Sequence, residues 1–77
     1  MVVIYRTLDD LADAMYEAMR LAPSDRAAIE MLKTDPEMRL VSKLMNLYFE
    51  ALRNPPDGVI GVGAITYAEK KLVDFQQ

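Results

Sequence analysis

The stretch Thr34-Asp35-Pro36-Glu37-Met38-Arg39-Leu40-Val41-Ser42-Lys43-Leu44-Met45-Asn46-Leu47-Tyr48-Phe49-Glu50-Ala51-Leu52-Arg53 decides the fold. Asp35 is a good N-cap, Pro36 suits the first helical position, and Glu37 complements the positive end of the helix dipole. A helix is therefore predicted from Pro36 to about Arg53, stopped by Asn54, Pro55 and Pro56. At ~100° per residue, Arg39, Ser42, Lys43, Asn46, Glu50 and Arg53 gather in a polar stripe roughly 100° wide. Met38, Leu40, Val41, Leu44, Met45, Leu47, Tyr48, Phe49, Ala51 and Leu52 cover roughly 200° of the other side. A helix packed on a single neighbour needs about half that width. This one is expected to lie between neighbours, either within one chain or between the chain and a partner.

Upstream, Thr7 looks like an N-cap, with Asp10 three residues on as a short form of the capping box. Leu8, Leu11, Ala12, Met15, Ala18, Met19 and Ala22 recur at helical spacing, so a first helix is predicted from about Leu8 to Leu21. Pro23 then either kinks one long helix or separates it from a second, capped by Ser24 or Asp25 and running to about Lys33. The inward side of that second helix would be Ala28, Ile29 and Leu32, with Met31 at the flank.

Downstream, Pro55-Pro56-Asp57-Gly58 reads as a loop, and the tail has two readings. In one, Val59 to Gly63 stays open and Thr66-Tyr67-Ala68-Glu69 starts a last helix through Phe75. In the other, a single helix runs from about Gly58 to Phe75, with Gly61, Ala64 and Ala68 as a strip of small residues allowing close helix contact. The expected fold is mainly all-α: one domain over residues 1–77, a small bundle of three to four helices. Met1-Tyr5 and Val59-Val62 are the candidate short extended segments.

Composition narrows what such a bundle can do. The chain has 77 residues, no cysteine and no histidine, so neither disulfides nor a structural zinc site can reinforce it. Domains this small often need such support or oligomerisation. Yet 52% of its residues are hydrophobic, above the ordinary share. Burial against another chain is the remaining route, and a homo-oligomer, or a permanent complex with another protein, is expected.

The net charge is −3. Residues 1–38 carry −4, from Asp9, Asp10, Asp13, Glu17, Asp25, Glu30, Asp35 and Glu37 against Arg6, Arg20, Arg26 and Lys33. The remainder carries +1, from Arg39, Lys43, Arg53, Lys70 and Lys71 against Glu50, Asp57, Glu69 and Asp74. No basic face of the kind that displaces counterions from nucleic acid is evident, and nucleic acid is not an expected partner. The longest apolar run, Val59 to Ala68, falls well short of the ~20 residues a membrane span needs. No signal peptide is visible, and a cytoplasmic or intravirion location is expected.

Several groups invite a chemical reading. Asp9, Asp13 and Glu17 share a helix face and could hold a divalent cation, but no EF-hand loop accompanies them; a solvated face near a helix N-terminus suits them better. Gly58, Gly61 and Gly63 lack the order of a dinucleotide fingerprint and the Gly-Lys-Ser/Thr ending of a phosphate loop. Ser24, Thr34, Ser42 and Thr66 could be nucleophiles only with a lysine or carboxylate base, and three of them sit where a cap is useful. Tyr5, Tyr16, Tyr48 and Tyr67 read as core-edge residues with wet hydroxyls. Five of the six methionines lie in predicted helices, mostly as core, with a few suited to an adaptable binding groove.

No catalytic, metal or cofactor-binding residue is assigned, and no enzymatic activity is expected. The expected function is that of a non-catalytic protein–protein interaction module, self-associating or serving as a small subunit of a larger assembly. Leu40, Val41, Leu44, Met45, Tyr48, Phe49 and Leu52 form its expected partner interface. The alternative is a helix-turn-helix regulator presenting Glu37, Arg39, Ser42, Lys43 and Asn46 to DNA, although the turn lacks the usual glycine.

From Leu11-Ala12-Asp13-Ala14 through Met31-Leu32-Lys33-Thr34-Asp35-Pro36-Glu37 to Phe49, the chain resembles the YlbF/YmcA group of small bacterial helical proteins. The shared features are a comparable first helix, an Asp-Pro-Glu break at similar distance, and a following helix with an aromatic. The resemblance spans about half of the chain. It implies an all-helical oligomer acting as a non-catalytic partner, in the best known cases of RNA-processing machinery. The chain departs from the group at Pro55-Pro56 and in its glycine-containing tail, where those proteins continue with charged helix.

Overall fold

A computed structural model describes residues 4–77, which form four helices and, among the described residues, no strand. They are α1 (Leu8–Leu21), α2 (Asp25–Thr34), α3 (Pro36–Arg53) and α4 (Val62–Gln76). The mainly all-α bundle is as expected. Met1–Val3 of the candidate N-terminal extended segment lie outside the described residues, while Ile4, Tyr5 and Arg6 have no regular structure.

Local chemistry sets the first three helices. The Thr7 hydroxyl accepts from the Asp10 amide while the Asp10 carboxylate accepts from the Thr7 amide, a complete capping box. Ser24 caps α2 by accepting from Ala27, and the Asp35 carboxylate caps α3 by accepting from both Glu37 and Met38. Both interruptions share a cause. A residue preceding proline is driven out of the helical region, and Ala22 (φ −74°, ψ 140°) and Asp35 (φ −76°, ψ 123°) are both extended. Pro23 thus breaks the helix rather than kinking it.

The tail departs from both sequence readings. Helix α4 begins at Val62, well before Thr66, so Thr66 is not its cap; its hydroxyl donates back to the Val62 carbonyl at 3.2 Å. Val59-Val62 is not a strand either. The Val59 amide closes a turn on the Pro56 carbonyl, with Gly58 at φ +85° in the position where such turns require positive φ. Gly61, at φ +57°, then reverses the chain into α4 with no side-chain cap. The small-residue strip of the longer-helix reading is partly realised, since Ala64 and Ala68 are buried.

Helix α3 is the hub, contacting α1, α2 and most extensively α4, while α1 and α2 touch each other lightly. Leu11, Val41, Leu44 and Leu72 are fully enclosed, joined in the core by Tyr5, Met38, Tyr48 and Ala68. In α2, Ala28 is buried with Met31 and Leu32 half-buried, whereas Ile29, expected inward, is exposed; a ten-residue helix can rotate toward either flank, and contact with α3 selected Met31. In α1, Met19 and Ala12 are likewise exposed, and Ala14 packs inward instead.

Two long-range contacts anchor Tyr5, one to the end of α4 and one to the start of α3. The Gln76 side-chain amide donates to the Tyr5 carbonyl at 2.6 Å while its oxygen accepts from the Tyr5 amide at 2.8 Å, one rung of a ladder made by a side chain. The Tyr5 hydroxyl donates to Glu37 at 2.7 Å. Burial, the hydrogen bond to Glu37 and the negative charge there push the Tyr5 phenol up to about 12.

The molecule is thin, 45 × 27 × 17 Å between its outermost Cα positions. Helices pack with axes 8–10 Å apart, so the short dimension holds two layers. The radius of gyration is 13.8 Å, against about 11.5 Å for a compact chain of this length.

Candidate interaction surface

The seven residues expected to meet a partner divide into three groups. Val41, Leu44 and Tyr48 belong to the core of a single copy and present no free surface, because α4 and α1 cover the middle of the apolar arc. Met45 and Leu52 are half-buried against that core. Leu40 and Phe49 remain 40% and 44% exposed. On the helical wheel these two lie roughly 180° apart, at opposite edges of the arc. Other helices cover its centre and leave its margins open.

Phe49 stands edge-on to the buried Tyr48 ring, with centroids 5.6 Å apart and planes at 85°. Burial holds the Tyr48 phenol above its usual range, with the Glu69 and Asp9 charges adding to the effect. Those charges come from α4 and α1, the two elements that cover this part of α3.

Much of the exposed apolar surface lies on residues the sequence reading did not assign to it. Ile60 and Val62, at the entrance to α4, are 83% and 78% exposed. Ile65 and Phe75 on α4, Tyr16 and Leu21 on α1 and Ile29 on α2 are exposed as well. One signal was available for α4: its apolar residues spread over more than half of its circumference, beside a polar sector of Thr66, Lys70 and Asp74. So wide an arc needs more than one neighbour to cover it, and this helix has a single major neighbour, α3.

The exposed apolar side chains are interleaved with charge of uneven sign. A groove of about 280 Å³ lies between α1, the end of α2 and the start of α3. Ala14, Ala18, Leu21, Met31 and Met38 line it with Glu17, Asp35 and Glu37, and it has no cation among its lining residues. Arg20 bonds Glu17 and holds that carboxyl below the usual carboxylate range. On the α3–α4 side the charge reverses. Lys43 Nζ sits 5.4 Å from the Phe75 ring centroid and Lys71 Nζ 5.5 Å from that of Tyr67. A second shallow groove there is lined by Leu47, Glu50, Ala51, Asn54, Tyr67 and Lys71.

Among the described residues, no group of three or more histidines, cysteines, aspartates or glutamates is placed to hold a metal ion. Of the hydroxyls weighed as nucleophiles, Ser24 is a cap, Thr34 bonds back to the Glu30 carbonyl, and Ser42 is half-buried within α3. Helices α2 and α3 meet across one residue, Asp35, where helix-turn-helix pairs use a turn of three to four. Arg53 is engaged by Glu50, and Lys43 lies over Phe75. No helix among the described residues is long and apolar enough to cross a membrane.

The fold and its surface define a small four-helix protein with an incompletely covered hub. No family model, curated protein or solved structure matches the chain.

Proposed function

We propose that this chain is a non-catalytic protein–protein interaction module that self-associates. The observation that carries the proposal is an excess of surface. The accessible area is 5714 Å², whereas a compact monomer of 8.7 kDa exposes about 4,700 Å². The difference, roughly 1,000 Å², exceeds the ~800 Å² that each partner of a standard protein interface buries. Leu40, Phe49, Ile60, Val62 and Phe75 contribute to it, and are large apolar side chains. Covering them recovers about 25 cal/mol per Å² of apolar area.

The resemblance to the YlbF/YmcA group, carried by Asp35-Pro36-Glu37 and the helices on either side, points toward the same kind of all-helical, non-catalytic oligomer. Sedimentation of the purified chain over a wide concentration range is the test. Species heavier than one chain, increasing with concentration, are expected. A single species of one-chain mass up to millimolar concentration would overturn the proposal.

A further inference from the structure

Building on the self-association proposed above, we infer that copies of this chain dock head to tail, the acidic groove at the α1–α2–α3 junction of one copy receiving the basic aromatic ridge on α3 and α4 of the next. The two surfaces are complementary in charge and in form. The groove is lined by Leu21, Met31 and Met38 together with Glu17, Asp35 and Glu37, and of these carboxylates Glu17 is paired with Arg20. Asp35 and Glu37 spend hydrogen bonds on backbone amides and on Tyr5, all neutral donors that leave the negative charge in place.

The ridge offers what such a groove accepts. Phe75 and Tyr67 each carry a lysine at one face, Lys43 and Lys71 respectively, and Lys70 stands near Tyr67. Phe75 is 47% exposed, an aromatic side chain available for insertion. Glu50 and Asp74 lie nearby, but Glu50 is held by Arg53, so the ridge remains net positive.

Geometry fixes the symmetry of the contact. Met38 and Lys43 are separated by roughly 140° around α3 at ~100° per residue, so groove and ridge face different directions. A contact joining two different patches is heterologous, and it propagates into a ring if the rotation closes and into a filament if it does not. An interior copy then buries both patches. Each contact engages only part of the surface excess, since Leu40, Ile60 and Val62 belong to neither patch. Association is therefore reversible, dependent on concentration, and weakened as salt screens the charges.

Sedimentation of the full chain and of two surface variants tests this. Glu17→Lys/Leu21→Lys alters the groove, and Lys43→Glu/Lys71→Glu alters the ridge; all four positions are exposed. Each variant alone is expected to remain monomeric where the parent associates. Mixed in equal amounts, they should associate again, because the intact ridge of the groove variant meets the intact groove of the ridge variant. Circular dichroism establishes that each variant is folded; if one is not, Glu17→Gln/Leu21→Ser and Lys43→Gln/Lys71→Gln should show the same pattern, with association weakened rather than lost.

Variants that associate like the parent, or a mixture that stays monomeric, would overturn head-to-tail docking while leaving the interaction module standing. A parent chain monomeric at every concentration would overturn both. A monomeric parent that instead binds a lysine-rich amphipathic peptide, losing it on Glu17→Lys, would assign the groove to a foreign chain and likewise overturn the inference.

Discussion

Replacing Tyr5 with phenylalanine removes a single hydrogen bond that joins the N-terminal segment to the start of α3. The ring stays in the core, so the perturbation is confined to the hydroxyl and its 2.7 Å bond to Glu37. Hydrogen bonds to charged groups contribute about 1.5–3 kcal/mol. Glu37 is exposed and recovers water when the hydroxyl is gone, which favours the lower end, about 1.5 kcal/mol. For a domain of this size that lowers Tm by roughly 6–12 °C.

The ionisation of Tyr5 probes its burial, first of all, and the bond to Glu37 with it. Its pKa rises from 10.0 to about 12 on folding, and two units correspond to about 2.7 kcal/mol of preference for the neutral phenol. The folded value lies above the unfolded one, so this stability is fully present below pH ~10 and is lost as pH rises through ~12. Urea unfolding of parent and Tyr5→Phe at matched pH isolates the effect, since other titrations are common to both. The gap between them should be nearly constant up to pH ~10, close near pH ~11 and reverse by about 12, because the ionisation loss of about 2.7 kcal/mol exceeds the hydrogen bond's contribution of about 1.5 kcal/mol. Ultraviolet titration of the folded parent should show late-ionising phenols at Tyr5 and Tyr48, and the variant one fewer. Equal stability of the two chains at neutral pH, or a gap unchanged at pH 12, would refute the assigned role of this hydroxyl.

Other substitutions probe the core and the turn before α4. Leu44→Ala, at a fully enclosed position of α3, should cost about 2–5 kcal/mol by chemical denaturation, whereas Leu40→Ser on the open margin should change stability by no more than about 0.5 kcal/mol. Gly61→Ala should cost about 1–3 kcal/mol in the same assay, because φ +57° with ψ −126° lies outside the regions open to an L side chain. Gly63→Ala should stabilise by about 0.4–1 kcal/mol, since a Cβ there meets only Val59 Cγ1 at an ordinary 3.5 Å.

What the sequence disclosed and what it withheld follow from the range of the forces involved. Thr7, Ser24 and Asp35 act within three residues of themselves, and Pro23 and Pro36 act on the residue just before, so α1, α2 and α3 could be bounded from local chemistry. Helix α4 could not. Its start depends on the backbone conformation of Gly61 rather than on a side-chain cap, and Thr66, which has the residues of a capping box around it, lies inside the helix. The clamp at Tyr5 was equally out of reach, because its partners Glu37 and Gln76 are 32 and 71 residues away.

The apolar arc of α3 was legible in its width but not in its division between interior and surface. That division depends on α4. Because α4 lies along α3 and covers the middle of the arc, Val41, Leu44 and Tyr48 pass from candidate interface to core, while Leu40 and Phe49 keep their exposure. The same placement transfers the unmet demand for cover to α4, whose own apolar residues face α3 on one side and solvent on the others. A two-layer molecule 17 Å thin leaves part of the wide apolar arc of α4 uncovered. Adding a helix to this bundle therefore moved the uncovered surface outward, from α3 toward Ile60, Val62, Ile65 and Phe75, without removing it. In a chain with neither cysteine nor histidine, covalent and metal cross-links through those residues offer no substitute for burial, and the self-association proposed above would supply it.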